Sequence, residues 1–239
     1  MVTKSNSLNA TAQKFTEPLP MRYNSPYLSW SWLAYLLVLL SLPALAASGP
    51  LQNDLTHLSD QWTYGSYQLP PDQRDDFFAS LQPKAHQLVM AYPGHAEPLI
   101  WEGIITATHA KYQNPFSALS SARQARDLLL QAISLDPKAM DGSALITLGA
   151  LYFRVPKLGS FGDTDKAKQY LNQALTLDPD NIDANYFYGK FLLEQGDHQA
   201  ALPYLKKAAA LPPRPQSLTA DRFRHDEVVQ LLNGGETPE

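Results

Sequence analysis

The chain has 239 residues, 44% hydrophobic and 18% charged, with a formal net charge of −4 and no cysteine. That length allows one or two globular domains, and the acidic balance argues against the basic face that nucleic acid requires. The absence of thiols excludes a disulfide framework and any thiolate metal site.

At the N-terminus, residues 1–20 read as a polar leader, and Leu33 to Leu42 form an apolar run followed by Pro43-Ala44-Leu45-Ala46-Ala47. The small residues Ala44 and Ala46 fit the A-x-A pattern of a secretory signal peptide, with cleavage expected after Ala46. The run is shorter than the roughly 20 apolar residues that span a bilayer, so a cleaved signal is expected over the alternative, an inner-membrane anchor. Initiation at either Met1 or Met21 is compatible with this signal. Residues 1–46 are therefore read as leader and signal peptide, with a periplasmic location expected. Membrane contact would run only through the signal segment, were it uncleaved. Removal of Lys4, Lys14, Arg22 and Glu17 with this segment leaves a net charge of −6.

The rest of the chain reads as helix after helix. Leu55, Leu58 and Trp62 recur at intervals of three and four between Gln52 and Tyr64, which predicts an amphipathic N-terminal helix. With its linker to Pro70-Pro71, this helix makes up residues 47–71. A repeat-bearing domain is expected over 72–232 and a flexible tail over 233–239. Within the domain a helix is predicted from about Asp72 to Ala91, with Phe77, Leu81, Leu88 and Val89 on one side and a kink or split at Pro83. The next, about Ala96 to Tyr112, carries Ile100, Gly103, Ile104 and Ala107 and ends at Asn114-Pro115. Its partner, about Leu119 to Leu135, carries Ala122, Ala125, Leu129 and Ala132 and stops at Asp136-Pro137, because the residue before proline is pushed out of the helical region. The plan repeats over about Gly142 to Phe153 and Thr164 to Leu177, then over Asp183 to Glu194 and Asp197 to Leu211. A final helix, Leu218 to Leu232, would cover the apolar end.

These helices share an internal period. Ala167, Leu171, Ala174 and Pro179 return 34 positions later as Ala201, Leu205, Ala208 and Pro213, the spacing of a helix–turn–helix repeat. Earlier units are stretched: Gly149 and Gly189 lie 40 apart, and Gly103 and Gly149 lie 46 apart. The first excess falls within residues 154–162. About ten residues of the second fall near His109 to Ser121, where a loop insertion is expected.

The small residues at the helix crossings (Gly103, Gly149, Gly189), the alanine pairs on the second helices and the closing prolines resemble tetratricopeptide repeats. The resemblance implies an all-α, TPR-like antiparallel helix-pair solenoid with a C-terminal capping helix. It departs from the family at Asn185, where a large aromatic is usual. More narrowly, residues 97–103, the loop 155–163 and residues 185–215 resemble the periplasmic TatT-like T-components of tripartite ATP-independent solute transporters (TRAP transporters). That likeness implies a helical-repeat accessory subunit that binds an apolar ligand or a solute-binding partner.

In such repeats the first helix of each pair lines the concave face. Helical spacing then places Glu97, Ile100 and Ile104, next Ile146, Ala150 and Phe153, and finally Tyr186, Lys190 and Leu193 along one stripe. The expected groove is mostly apolar and rimmed by Glu97 and Lys190. It would suit a protein partner, a peptide or a small apolar ligand; the alternative is that the stripe packs on the N-terminal or final helix. The loop with Arg154, Phe161 and Asp163 could face an anion at a helix N-terminus, although capping by Asp163 accounts for it more simply. Glu102 and His109 share one helix face two turns apart, for which a solvated or capping role is expected over acid–base work. The six histidines show no metal-ligand spacing. No nucleophile, phosphate-loop or cofactor motif is present, so the expectation is a non-enzymatic binding protein without a cofactor.

Overall fold

Nine helices follow one another through residues 49–234, the part of the chain that this computed structural model describes. In chain order they are α1 (Pro50–Thr63), α2 (Arg74–Ala91), α3 (Ala96–Ala110), α4 (Pro115–Leu135), α5 (Ala139–Arg154), α6 (Thr164–Leu177), α7 (Ile182–Glu194), α8 (His198–Ala210) and α9 (Leu218–Leu232). No strand occurs among the described residues. The expected leader and signal peptide, residues 1–46, and residues 235–239 of the expected tail lie outside the described residues. No helix of the described residues is long and apolar enough to cross a membrane.

Helix starts are set by local capping. Asn114 accepts hydrogen bonds from the Phe116 and Ser117 amides, Asp163 from Asp165 and Lys166, Asn181 from Ala184, and Asp197 from Ala200. Each short side-chain oxygen pairs amides that the first turn leaves without partners. Between α4 and α5, and again between α6 and α7, an Asp-Pro turn closes on itself. Asp136 Oδ1 accepts from the Lys138 amide at 2.8 Å, and Asp178 Oδ1 from the Asp180 amide at 3.0 Å.

The pairs α3–α4, α5–α6 and α7–α8 cross at one recurring joint. A Cβ built on Gly103 would lie 2.8 Å from Leu129 Cγ, one on Gly149 2.5 Å from Leu171 Cγ, and one on Gly189 2.7 Å from Leu205 Cγ. The next neighbour on the partner helix is in each case an alanine carbonyl, of Ala125, Ala167 and Ala201. Glycine lets the two backbones close to this distance, and the leucine fills the space that a side chain would take. Leu129, Leu171 and Leu205, with Ala125, Ala167 and Ala201, are essentially inaccessible to solvent. The architecture is an all-α, TPR-like helical solenoid, with α9 covering its last pair.

Two features differ from the sequence reading. The residues between Gly103 and Ala125 form no loop insertion: the turn after α3 is only residues 111–114, and α4 takes up the excess as a 21-residue helix beginning at Pro115. Pro at the first turn lacks an amide the helix would not have used. Pro83 neither splits nor ends α2. It and Ala79 are exposed, so the carbonyl left without its helical partner faces water.

The core runs continuously along the stack. Leu55 and Leu58 of α1 pack with Phe78 and Leu81 of α2 and Trp101 and Ile105 of α3. The central cluster joins α3 to α7, and the last one places Tyr186 with Leu205 and Val228. After α1 a π-helical turn, Tyr64–Gln68, carries Tyr67 onto α9, where its ring stacks on Phe223 with centroids 4.7 Å apart and planes within 3°. The π-helical turn after α1 therefore touches α9, the last described helix.

Candidate partner-binding surface

The first helices of the pairs, α3, α5 and α7, carry the expected groove residues, and burial sorts them into two groups. Ile100 is fully inaccessible in the central core, Ile146 is 4% exposed against Ala174 and Ala184, and Tyr186 is 3% exposed beneath α9. These three are packing residues, a correction to their placing on an open groove. For Tyr186 the covering element is the final helix, since the Arg224 guanidinium lies 4.1 Å over its ring centroid.

The second group is partly buried. Ile104 sits between the first two core clusters, and Phe153 lies edge-on to Phe191 at 5.8 Å. Leu193 packs against the last cluster. Glu97 is partly buried with its carboxylate 3.9 Å from His95 Nδ1. Lys190 is no rim residue: it is 9% exposed, with Nζ 5.9 Å from the Tyr186 ring centroid. Burial, together with the nearby cations Arg154 and Lys111, pushes its ammonium down to about 8.

The loop after α5 is a folded structural element. Phe161 turns back onto α5 and α4, edge-on to Tyr152 at 5.5 Å and 4.7 Å beneath the Arg126 guanidinium. The Asp163 amide donates to the Tyr152 carbonyl at 2.8 Å, and its carboxylate caps α6. A Cβ on Gly162 would fall 1.9 Å from the Val155 carbonyl oxygen, so the loop closes only with glycine there. Arg154 is 3.7 Å from the Glu194 carboxylate and stacks near Phe153. The capping reading of Asp163 thus holds, and its carboxylate stands where an anion would bind.

Several interactions were not anticipated. Arg214, in the linker before α9, donates through its amide at 2.7 Å and its Nε at 3.0 Å to Asp221 Oδ2, and through Nη2 at 2.6 Å to Asp221 Oδ1. Nη2 also reaches Asp183 at 2.7 Å, and Arg224 Nε donates to the same carboxylate at 2.9 Å. Arg224 Nη1 further pairs with Glu227. Burial alone would raise Asp183, yet the guanidiniums of Arg224 and Arg214 hold it below its usual range. This cluster fastens α9 to α7. Its sequence signal is that Asp221 and Arg224 share a helical stripe with Val228, charges where an inward face should be apolar. Asn185, the departure from the repeat pattern, is 1% exposed and donates to the Pro179 and Asn181 carbonyls at 2.9 and 2.8 Å. It closes the α6–α7 turn with hydrogen bonds where an aromatic would pack.

Glu102 and His109 are neither solvated nor capping groups. They are 4% and 5% exposed and bond to α2, Glu102 to His86 at 3.1 Å and His109 to Asp75 at 2.8 Å and Gln82 at 3.1 Å. Among the described residues no group of three or more His, Asp or Glu side chains could hold a metal ion.

None of the curated proteins compared with the chain matches it. The tetratricopeptide repeat family model matches residues 160–220, from the folded loop through α6, α7 and α8 into α9. That stretch holds the cleanest copy of the 34-residue offset and the Gly189–Leu205 joint, and the match supports reading the chain as a tetratricopeptide-repeat protein. Such repeats typically form non-enzymatic scaffolds that bind protein partners.

Proposed function

We propose that this chain is an exported adaptor that binds a protein partner through the concave side of its solenoid and performs no chemistry of its own. The observation carrying the reading is the tetratricopeptide match over residues 160–220, in a chain whose three helix pairs cross at the same glycine–leucine joint. Ile104, Phe153 and Leu193 are the partly buried members of the expected apolar stripe among the large side chains of the first helices, and the reading assigns them to the partner contact beside Glu97. Ile100, Ile146 and Tyr186 keep the helices in place. Export rests on the apolar run 33–42 and the small residues Ala44 and Ala46, and the reading places the processed protein in the periplasm.

The test is photo-crosslinking in cells from Phe153 and from Leu193, combined with fractionation and N-terminal sequencing. One defined protein captured from both positions, and lost in a folded Ile104→Ala variant, is the expected result, with a mature terminus at Ala47. Capture that is identical from the exposed loop residue Leu158 would refute the concave surface, and an intact N-terminus would refute cleavage. A captured solute-binding protein would favour the narrower transport-subunit role that residues 97–103, 155–163 and 185–215 suggest. The same capture would leave the adaptor reading intact.

A further inference from the structure

Between α2 and α4, over α3, lies a cleft of about 320 Å³ lined by Gln82, Pro83, His86, Glu102, Thr106 and Gln124. It is made by different helix faces from the partner surface proposed above, and it is distinguished by an incompletely paired carboxylate. Glu102 is 4% exposed; its Oε1 meets His86 Nδ1 at 3.1 Å, while Oε2 has no hydrogen-bond partner among the described residues. A buried carboxylate oxygen without a donor is costly, and native structures rarely keep one without a reason. The remaining lining groups are neutral or weakly basic. Thr106 Oγ1 accepts from Gln82 Nε2 at 3.3 Å, and Gln124 and His86 are exposed at the sides. The cleft thus has one acidic group, flanking amide and hydroxyl oxygens, and too little apolar lining for a hydrophobic guest.

We infer that this cleft is a binding site for a compact organic cation, an alkylammonium or guanidinium head group, held by Glu102 with Thr106, Gln82 and Gln124 around it. Oε2 is closed to solvent as it stands, so binding takes a turn of the Glu102 carboxylate toward the cleft; the head group then supplies the donor that Oε2 lacks, and charge assistance makes that hydrogen bond the strongest in the site. The cation comes either from a free small amine or from a lysine or arginine side chain of a protein; the two share this chemistry.

The test titrates n-butylammonium and ethylguanidinium into the purified full chain, following the His86 ring and Gln124 side-chain resonances by NMR, with n-butanol as the neutral control. Saturable shifts with either cation and none with n-butanol are expected. Glu102→Gln should weaken binding by about tenfold to a hundredfold. Gln124→Trp, an exposed substitution that fills the cleft and leaves Glu102 in place, should abolish the shifts while the helical spectrum stays unchanged, which covers the case in which Glu102→Gln misfolds. Blocked lysine or arginine binding at least tenfold tighter than the bare head groups assigns a protein side chain; equal binding assigns a free amine. Shifts that do not saturate, that appear equally with n-butanol, or that survive Gln124→Trp would mean that only water satisfies Glu102, and would overturn the site. None of these outcomes depends on the crosslinking from Phe153 and Leu193.

Discussion

Replacing Gly149 by alanine tests whether the glycine–leucine joint sets the spacing of the helices. The new Cβ would sit 2.5 Å from Leu171 Cγ, 2.8 Å from Leu171 Cδ2 and 3.3 Å from the Ala167 carbonyl oxygen. Ordinary contact begins near 3.4 Å, so α5 and α6 must part by nearly an ångström or Leu171 must leave its position. The clash falls on the branch carbon of a fully buried leucine, with a backbone oxygen behind it, so neither neighbour can swing away cheaply. Overpacking of this kind costs about 1–3 kcal/mol, and the upper half of that range applies here. Alanine returns about 1 kcal/mol through its better helix propensity. The net loss is about 1–2 kcal/mol, which lowers the melting temperature by roughly 2–8 °C for a chain of this size. Urea and thermal unfolding followed by circular dichroism measure it. Leu171→Ala alone should cost about 2–5 kcal/mol. The double variant should cost less than the sum by about 1 kcal/mol, because the new methyl enters the space the leucine leaves. A neutral or stabilised Gly149→Ala variant, or strict additivity with Leu171→Ala, would refute the joint as the element that spaces the helices.

Two further outcomes follow from the charged groups around α7 and α9. Asp221→Ala removes the buried carboxylate that accepts from the Arg214 amide, Nε and Nη2 and leaves the guanidinium only its Asp183 contact, so it should destabilise the fold by about 3 kcal/mol, the low end for breaking a buried pair; a loss below 1 kcal/mol in urea unfolding would show that α9 is held by apolar packing alone. The Lys190 amine should titrate near 8 in NMR of lysine labelled at Cε. Its folded value lies below the unfolded one of about 10.4, so the folded chain binds fewer protons across that window, and this group's contribution to stability rises with pH between about 8 and 10.4. Lys190→Met should remove that rise, and a measured value above 10 would contradict the burial and cation crowding described for it.

Much of the fold was legible because the signals were local. Asn114-Pro115, Asp136-Pro137 and Asp163 each begin or end a helix through hydrogen bonds from amides two or three residues away, and such bonds need no tertiary partner; Asn181 and Asp197 cap α7 and α8 in the same way, although spacing alone started those helices at Asp183 and Asp197. The offset that links Ala167-Leu171-Ala174 to Ala201-Leu205-Ala208 was readable for the same reason, since each repeat meets its neighbour in the same way. Spacing could not separate helix from loop, however. Ten extra residues between Gly103 and Ala125 add the same separation whether they extend α4 or bulge from the solenoid, and only the structure assigns them to the helix. The candidate surface was legible as a face and not as an environment. Periodicity placed Ile100, Ile146 and Tyr186 on the stripe with Ile104, Phe153 and Leu193, but it carries no information on which turns another helix covers.

The sequence by itself determined the helices, their order and the Asp163 cap, which depend on neighbours a few positions away, and it marked the small residues at which the helices cross through their recurrence from repeat to repeat. Tertiary structure decided what lies against each helix face. It laid α9 over Tyr186, drew Asp183, Asp221, Arg214 and Arg224 into one ion cluster in which Asp221 and Arg224 are buried, and set Tyr67 on Phe223. It also buried Glu102 beside the α2–α4 cleft with one oxygen unpaired among the described residues. The physical reason is distance along the chain. Burial, charge pairing and solvent exclusion sum contributions from residues up to 156 positions apart, as Tyr67 and Phe223 are, and no local pattern encodes which of them will meet.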